Sequence, residues 1–259
     1  SQQKPNSSPE RGNWENATFR EKQLIIVENN LLNALQVEIE QYQLDQILSG
    51  YEPLVFGVDH TSSVENIKDL ILDETVDPDK TAVWILGNVV VPYSGNVFPD
   101  GIPQHKGAWP CDGYYGELDG TWTDNSVFIT LNDDRQDNIP ADGKFDQSFF
   151  PSDVDLPVSR VDFSNLSENF DQEVEWTRAY LQKVFQFKRE ELNANKSCII
   201  QDQFNFVTEA FAQNAWKNVS SLTEVGPIEE GSIKEALLDD SYLIAYGNGT
   251  GTFDNCEGV

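Results

Sequence analysis

Apolar residues along this chain fall into two kinds of segment that follow each other from residue 19 onward. Short continuous apolar runs predict buried strands, and segments with apolar residues three or four positions apart predict amphipathic helices. The predicted strands are Gln23–Val27, Leu54–Val58, Ala82–Leu86, Val154–Val161, Cys198–Gln201 and Tyr242–Tyr246. The predicted helices are Leu31–Leu48, one opened by a capping box of Ser62 and Glu65, Ser167–Glu190, one around Phe206–Val219, and a short one opened by a capping box of Ser232 and Glu235.

This alternation of strands and helices predicts an α/β fold with a doubly wound, mainly parallel sheet, because successive parallel strands need helical crossovers. Residues 1–18 are polar and lack apolar periodicity, so we expect a flexible N-terminal segment. Residues 19–259 are expected to form one domain. A loop insertion over about residues 92–153 interrupts it.

The charge of the chain excludes several classes of partner. It contains 17 Lys and Arg against 44 Asp and Glu, a formal net charge of −27. Such an excess of acid repels phosphate backbones and anionic lipid headgroups, so nucleic acid and membrane surfaces are poor partners. No apolar run reaches the roughly 18–20 residues of a membrane-spanning helix. The chain has no methionine and begins at Ser1, which we interpret as the result of removing an export signal or pro-segment.

The 92–153 insertion is too long for an ordinary connection, and loops of this size are usually functional or disordered. Its aromatic side chains need a packing partner, which argues against disorder. They are Tyr93, Trp109, Tyr114, Tyr115, Trp122 and Phe145. We expect them to form a small core for the insertion. The alternative is a stacking platform for a sugar ring or a peptide, which would suit a carbohydrate-binding protein.

The same insertion is rich in carboxylates. One glycine-punctuated segment carries Asp112, Glu117, Asp119 and Asp124, and the next carries six more Asp and Asn residues. Calcium prefers about six to eight oxygen ligands from flexible loops, so this composition suits Ca²⁺, although the EF-hand register is absent. A solvated acidic loop is the alternative. The predicted calcium ligands are Asp119, Asp133, Asp134, Asp137, Asp142 and Asp146.

Two pieces of the chain carry a resemblance to a known family. The segments DGYYGELDG, beginning at Asp112, and DLPVSRVD, beginning at Asp155, look like the corresponding parts of gingipain-type cysteine peptidases. The resemblance extends from about the first strand to the end of the chain. It implies a caspase-like α/β fold, export from the cell and frequent calcium binding.

The resemblance also indicates where a catalytic Cys–His dyad should lie. The family carries its histidine on the glycine-rich turn that matches Tyr246 to Gly249, at the position of Asn248. An amide cannot activate a thiol as histidine does. The family's cysteine is expected roughly one strand later, beyond Val259.

Other residues give only weak candidates for a replacement dyad. Cys256 is flanked by Asp254 and Glu257, whose negative charges disfavour a thiolate. His60 and His105 are the only histidines and therefore the only imidazole bases. The three cysteines, which also permit one disulfide and a free thiol, show no CxxC spacing.

The leading functional hypothesis is therefore a pseudoenzyme: a secreted or cell-surface gingipain-like module of bacterial type that serves as a structural or binding component of an assembly. The alternative is an active, calcium-dependent cysteine endopeptidase whose catalytic residues lie partly beyond this chain. A carbohydrate-binding protein is the third hypothesis. Protein partners or a peptide substrate are expected in the first two cases.

Overall fold

The computed structural model describes residues 18–98, 103–130, 133–192, 195–202, 228–230, 232–239, 242–248, 251–252 and 255–256. The chain divides into two compact units after Phe185. We call residues up to Phe185 the first unit and the remainder the second unit. The predicted flexible segment and the predicted helix Phe206–Val219 lie outside the described residues, apart from residue 18.

The main sheet of the first unit has four strands. They are β1 (Glu21–Glu28), β2 (Tyr51–Val58), β3 (Thr81–Leu86) and β7 (Val158–Val161). Their order is β2-β1-β3-β7, and all the pairs are parallel. The accompanying helices are α1 (Asn29–Ala34), α2 (Gln36–Leu48), α3 (Val64–Glu74) and α5 (Phe170–Lys188), the last of which continues into the second unit. The expected α/β class and mainly parallel sheet are confirmed.

Alternation along the central strand creates two cores. Leu24 and Ile26 of β1 pack with Ile67 and Ile71 of α3 on one face. The intervening β1 residues pack on the opposite face with Leu31, Leu35 and Ile39 of α1 and α2 and Leu181 of α5. Because side chains of a strand point alternately to opposite faces, the apolar run at residues 24–27 of β1 supplies both cores, and helices cover both sides of the sheet.

The insertion between β3 and β7 has secondary structure of its own. It contains β4 (Tyr93–Val97), β5 (Gly107–Pro110), the short helix α4 (Gly113–Gly116) and β6 (Lys144–Phe145). These strands form a sheet in the order β5-β4-β6. Tyr114 and Tyr115 of α4 and Phe145 of β6 join the core on the α3 face.

The described residues of the second unit after α5 form five short strands and a helix. The elements are β8 (Asn195–Asp202), β9 (Ile228–Glu230), α6 (Ile233–Asp239), β10 (Tyr242–Asn248), β11 (Gly251–Thr252) and β12 (Asn255–Cys256). A parallel sheet has the order β10-β8-β9, and β11 and β12 form an antiparallel hairpin. The backbone N–H of Glu235 donates to Ser232 Oγ at 3.4 Å, so the predicted cap at Ser232 is confirmed.

Three predicted boundaries are wrong. The predicted helix Leu31–Leu48 is two helices, because Leu35 leaves helical geometry at φ −120° and ψ 24°. Leu35 is nevertheless fully buried, so the apolar spacing continues across the break. The cap of α3 is Ser63, whose Oγ accepts from the N–H of Asn66, rather than Ser62. The strand predicted from Val154 begins only at Val158, because the N–H groups of Asp155 and Leu156 donate to Gly116 O instead of to a strand.

No described helix is long and apolar enough to cross a membrane.

Candidate functional site

Arg160 joins the two segments that carry the family resemblance. Its guanidinium donates from Nε and Nη2 to the two carboxylate oxygens of Asp112, both at 2.8 Å. It also donates to the carbonyl oxygens of Val89 and Val90, just beyond β3. This paired geometry is the strong form of an Arg–carboxylate contact, and it fixes α4 at the carboxyl end of the sheet.

Gly116 makes the second junction between these segments. Its carbonyl oxygen accepts the N–H groups of Asp155 and Leu156, both at 2.9 Å. A Cβ atom at Gly116 would stand 2.5 Å from Leu156 O, closer than non-bonded atoms approach. The glycine therefore allows α4 to contact the chain entering β7.

Glu117 is fully buried at the end of α4 and is well supplied with donors. Its carboxylate accepts from the Gly120 N–H at 2.5 Å, from Trp122 Nε1 and from Ser152 Oγ. Burial raises the pKa of the Glu117 carboxyl, but these donors and the nearby Lys68 ammonium outweigh it, so the net pKa is lowered. Glu117 is therefore ionised at neutral pH.

Two exposed carboxylates, Asp119 and Asp155, lie beside Glu117. One ligand oxygen from each of the three residues lies within 4.8 Å of the others. Ser152 Oγ lies 2.6 Å from Asp119 Oδ1 and also contacts Glu117, so its single proton is shared between the two carboxylates, and Asp155 accepts the Leu118 N–H at 2.8 Å. We call Glu117, Asp119 and Asp155 the carboxylate group. Its donor atoms are the hard oxygens that Ca²⁺ prefers.

Lys68 of α3 connects α3 to the segment that contains Tyr114 and Glu117. Its side chain is buried and donates to the carbonyl oxygens of Tyr114, at 2.6 Å, and Glu117. Its Nζ also lies 5.1 Å from the centre of the Tyr114 ring, a cation–π distance. Burial lowers the pKa of Lys68 to about 8, against the raising effect of the charges of Glu117 and Asp155. A single amine thus links α3 to the segment that bears the carboxylate group.

The other predicted calcium ligands engage in local turns. Asp133 forms an ion pair with Arg135 at 2.5 Å, which lowers the pKa of Asp133. Asp137 accepts the Thr130 N–H at 2.7 Å, and Asp134 begins the 3₁₀ helix Asp134–Gln136.

Asp142 and Asp146 are also engaged by hydrogen-bond donors, Asp142 within its own turn and Asp146 from a distant part of the insertion. Asp142 accepts the N–H groups of Ile139 and Lys144 and lies 3.5 Å from the Lys144 ammonium. Asp146 accepts from Thr123 and from the N–H groups of Asn125 and Ser126. Burial of Asp146 raises the pKa of its carboxyl, but these donors lower the net value. Within the described residues, only Asp119 of the predicted ligands belongs to a close group of three carboxylates.

The aromatic residues of the insertion pack largely against one another. The rings of Tyr114 and Phe145 stack with centroids 4.2 Å apart, and Trp122 meets Tyr114 edge-on at 5.1 Å. Tyr114, Tyr115 and Phe145 are all buried. These three residues belong to the core between the main sheet and α3 rather than to a separate core of the insertion, and being buried they offer no open face for a sugar ring.

The histidines lie in separate parts of the first unit. His60 follows β2, is more than half exposed and lies 3.6 Å from Asp59. Hydrogen bonds from the Thr61 side chain and N–H lower the pKa of Asp59. His105 ends the 3₁₀ helix Pro103–His105, and its carbonyl oxygen accepts from Trp109 Nε1 at 3.2 Å.

The described thiols are not activated. Cys111 and Cys198 are free, and burial raises the pKa of both. A raised pKa reduces the thiolate fraction, which is the nucleophilic form. The backbone of Cys256 pairs with Gly251 in the hairpin of β11 and β12, and its side chain lies outside the described atoms.

Asn248 is the last residue of β10, directly opposite Asp202 at the end of β8. Both strands run in the same direction, so the two backbone positions share the carboxyl edge of the second unit's sheet. Ligands of open α/β sheets bind at this edge.

The sequence-based ligand set omitted Glu117 and Asp155. Glu117 stands within the acid-rich segment, but its neighbour Asp155 is distant in sequence and reaches it only through the contact with Gly116. The available signal was the resemblance itself, because DGYYGELDG and DLPVSRVD contain all three members of the carboxylate group.

Comparison of the chain with protein-family models, with curated proteins and with solved structures finds no match.

Proposed function

We propose that this chain is a gingipain-like, peptidase-fold module without a working Cys–His dyad. It acts as a structural or binding component of a secreted or cell-surface assembly, with protein partners. The observation that carries the proposal is the position of Asn248 at the end of β10, opposite Asp202. This is the sheet edge where the resembled family carries its histidine, and here the residue is an amide.

The first unit adds support to this proposal. Its two histidines are in separate loops, and the one after β2 is paired with Asp59. The Cys111 thiol has a raised pKa and lies next to a carboxylate already engaged by Arg160. A catalytic thiol needs the opposite conditions, a neighbouring cation or base that stabilises the thiolate.

Labelling with a thiol-directed peptidyl affinity probe tests the proposal. The native protein is incubated with the probe, with and without calcium, beside the Cys256→Ala variant, and labelled residues are located by mass spectrometry. We expect no labelling above that of the unfolded protein. Labelling that requires the folded, calcium-loaded protein and disappears in Cys256→Ala would contradict the proposal and establish a peptidase.

Calcium remains the proposed cofactor, now assigned to the carboxylate group. Two oxygens bound to one Ca²⁺ are separated by at most about 5 Å, since each lies roughly 2.3–2.6 Å from the ion. The 4.8 Å limit within the group fits this requirement. Glu117 is ionised, and the exposed Asp119 and Asp155 leave room for water to complete the coordination. Bound calcium would tie α4 to the chain entering β7.

Thermal melts in calcium and in chelator test this assignment. A ligand that binds only the folded state raises the melting temperature by mass action. Calcium should stabilise the wild type, and the double variant Asp119→Asn/Asp155→Asn should lose the response. Asp142→Asn is the matched control and should keep the response. If Asp142→Asn abolishes the response and the double variant does not, calcium binds the acidic segment from Asp133 to Asp146 instead.

A further inference from the structure

A cavity of about 500 Å³ lies at the carboxyl end of the first unit's sheet. Its apolar walls come from Val64 of α3, Val90 and Val91 after β3, and Tyr93 of β4. Its volume is typical of sites for small organic molecules, which are also mainly apolar with a few polar groups. The cavity contains none of the carboxylate group's residues and none of the proposed dyad positions, so a ligand bound here is independent of the proposed function.

The start of α3 lies at one side of this cavity. Ser63, Val64 and Glu65, the cap and first two residues of α3, are among its lining residues. Ser63 Oγ accepts the Asn66 N–H, whereas the N–H groups of the first two helical residues have no intrahelical acceptor. Together with the positive end of the helix dipole, they favour a negatively charged group.

Two cationic side chains, Arg135 and Lys144, also line the cavity. Lys144 donates to Asp137 O and lies 3.5 Å from Asp142. These two contacts engage two of the three donors of its ammonium. One donor of Lys144 therefore remains for a bound group. Arg135 brings a second positive charge, although it is paired with Asp133.

The charge of the lining distinguishes this cavity from the rest of the molecule. The lining has two cations, Arg135 and Lys144, and two carboxylates, Glu65 and Asp142, so its formal charge is zero in a chain of net charge −27. Asp142 is itself neutralised by Lys144 and two backbone N–H groups. Glu65 is the lining carboxylate with no such partner among the described contacts. At physiological salt the Debye length is about 8 Å, which screens the distant acidic surface.

We propose that the cavity binds the carboxylate end of a small apolar molecule. The carboxylate meets Lys144 and the start of α3, and the apolar body lies against Val90, Val91 and Tyr93. A free branched or aromatic carboxylic acid and the C-terminal residue of a short apolar peptide present this same chemistry. The neutral lining admits one negative charge where most of the surface repels it.

Calorimetric titration of the full chain at about 0.15 M salt, a physiological ionic strength, tests the proposal with three probes. They are 4-methylpentanoate, N-acetyl-Leu-Leu with a free carboxylate, and the same dipeptide as its amide. At least one acid should bind saturably and the amide should bind at least about tenfold more weakly, because charge-assisted hydrogen bonds are the stronger kind. Preference for 4-methylpentanoate indicates a free acid as the natural ligand, and preference for the dipeptide acid indicates a peptide terminus.

Variants with opposite charge changes make the test specific. Lys144→Gln should weaken acid binding about tenfold, whereas Glu65→Gln should strengthen it by removing a repulsive charge. Val91→Trp should abolish binding by filling the cavity. Lys80→Gln removes a surface cation paired with Asp77 outside the cavity and should leave binding unchanged. Each variant is first shown to fold by its circular dichroism and melting curve.

Two results would overturn the proposal. One is the absence of saturable binding for both acids. The other is that the folded Glu65→Gln and Val91→Trp proteins bind the acids with the same affinity as the wild type. Because the side chains of Glu65 and Val91 make no described hydrogen bond that holds the insertion, these two variants keep the test decisive even if Lys144→Gln fails to fold.

Discussion

Single polar side chains hold the insertion onto the first unit's sheet. Arg160 bridges Asp112 and the two carbonyl oxygens after β3, and Lys68 bridges α3 and α4. Both side chains are mostly buried cations with several acceptors each, so removal of either leaves acceptors without donors. Leaving a buried acceptor unpaired lowers the free energy of unfolding by more than one hydrogen bond usually adds to it.

Replacement of Arg160 should be strongly destabilising. Arg160→Met leaves Asp112 and two carbonyl oxygens unpaired, and we expect a loss of about 2–3 kcal/mol in the free energy of unfolding, somewhat below that of a fully buried pair. Chemical denaturation measures it. Arg178→Met is the matched control, because its pair with Glu38 is more exposed and should contribute at most about 1 kcal/mol. Equal losses from the two variants would contradict this account of the junction.

Lys68 should make stability depend on pH. Its pKa in the folded protein is about 8, below the ordinary 10.5, so the folded state binds the proton less tightly than the unfolded state. The cost of burying the ammonium is therefore fully present below about pH 8 and fades as the pH rises toward 10.5. Wild-type stability should rise relative to Lys68→Met between about pH 7 and pH 9.5, by an amount on the order of 2 kcal/mol. A difference that stays constant over this range would show that the Lys68 pKa is not lowered.

At the scale of elements, the sequence predicts types better than boundaries. All strands of the first unit's main sheet were predicted. A strand that is covered on both faces of the sheet shows a continuous apolar run, and β1 is the clearest example. The break at Leu35 was not predicted, since the residue is buried in both a continuous and a broken helix. The strands β4 and β5 were missed because their short segments include Gly95, Gly107 and Pro110, residues that weaken a strand pattern, and β6 has only two residues, too few to form a pattern.

The cap of α3 offers a direct test at this scale. Both Ser62 and Ser63 are followed by residues typical of a helix start, and only the backbone geometry selects Ser63. Ser63→Ala should lower the free energy of unfolding by about 1 kcal/mol, the usual contribution of a cap. Ser62→Ala is the control and should change it by less than about 0.5 kcal/mol. A larger loss from Ser62→Ala would restore the capping box expected from the sequence.

The carboxylate group shows why a site is harder to predict than a fold. Composition correctly indicated that the insertion is rich in oxygen ligands, but it did not distinguish carboxylates that cap turns from those that converge. Asp133 and Asp142 accept donors within their own turns, and Asp146 accepts donors from the segment at residues 123–126. Glu117 and Asp155 converge only because Gly116 accepts two N–H groups from the chain before β7. Such a contact is set by tertiary packing.

At the scale of the whole molecule, the acidity of the chain and the amide at position 248 are the features on which the proposed binding role rests. A net charge of −27 favours solubility and protein or calcium partners over nucleic acid. Asn248 and Asp202 end neighbouring strands at the carboxyl edge of the second unit's sheet, and under the proposed function Asn248 takes the position of the family's histidine. The central claim is therefore that Cys256 is an ordinary thiol.

The pH dependence of Cys256 alkylation tests this claim most directly. Native protein is treated with iodoacetamide from about pH 5 to pH 9, and modification of each cysteine is followed by mass spectrometry, with the unfolded chain as reference. The thiolate is the reacting form, so an ordinary thiol with a pKa near about 8.5 slows about tenfold for each unit of pH below that value. We expect this slope for Cys256. A rate that stays high and flat down to about pH 6 would reveal an activated thiolate and contradict the account of a module without a catalytic dyad.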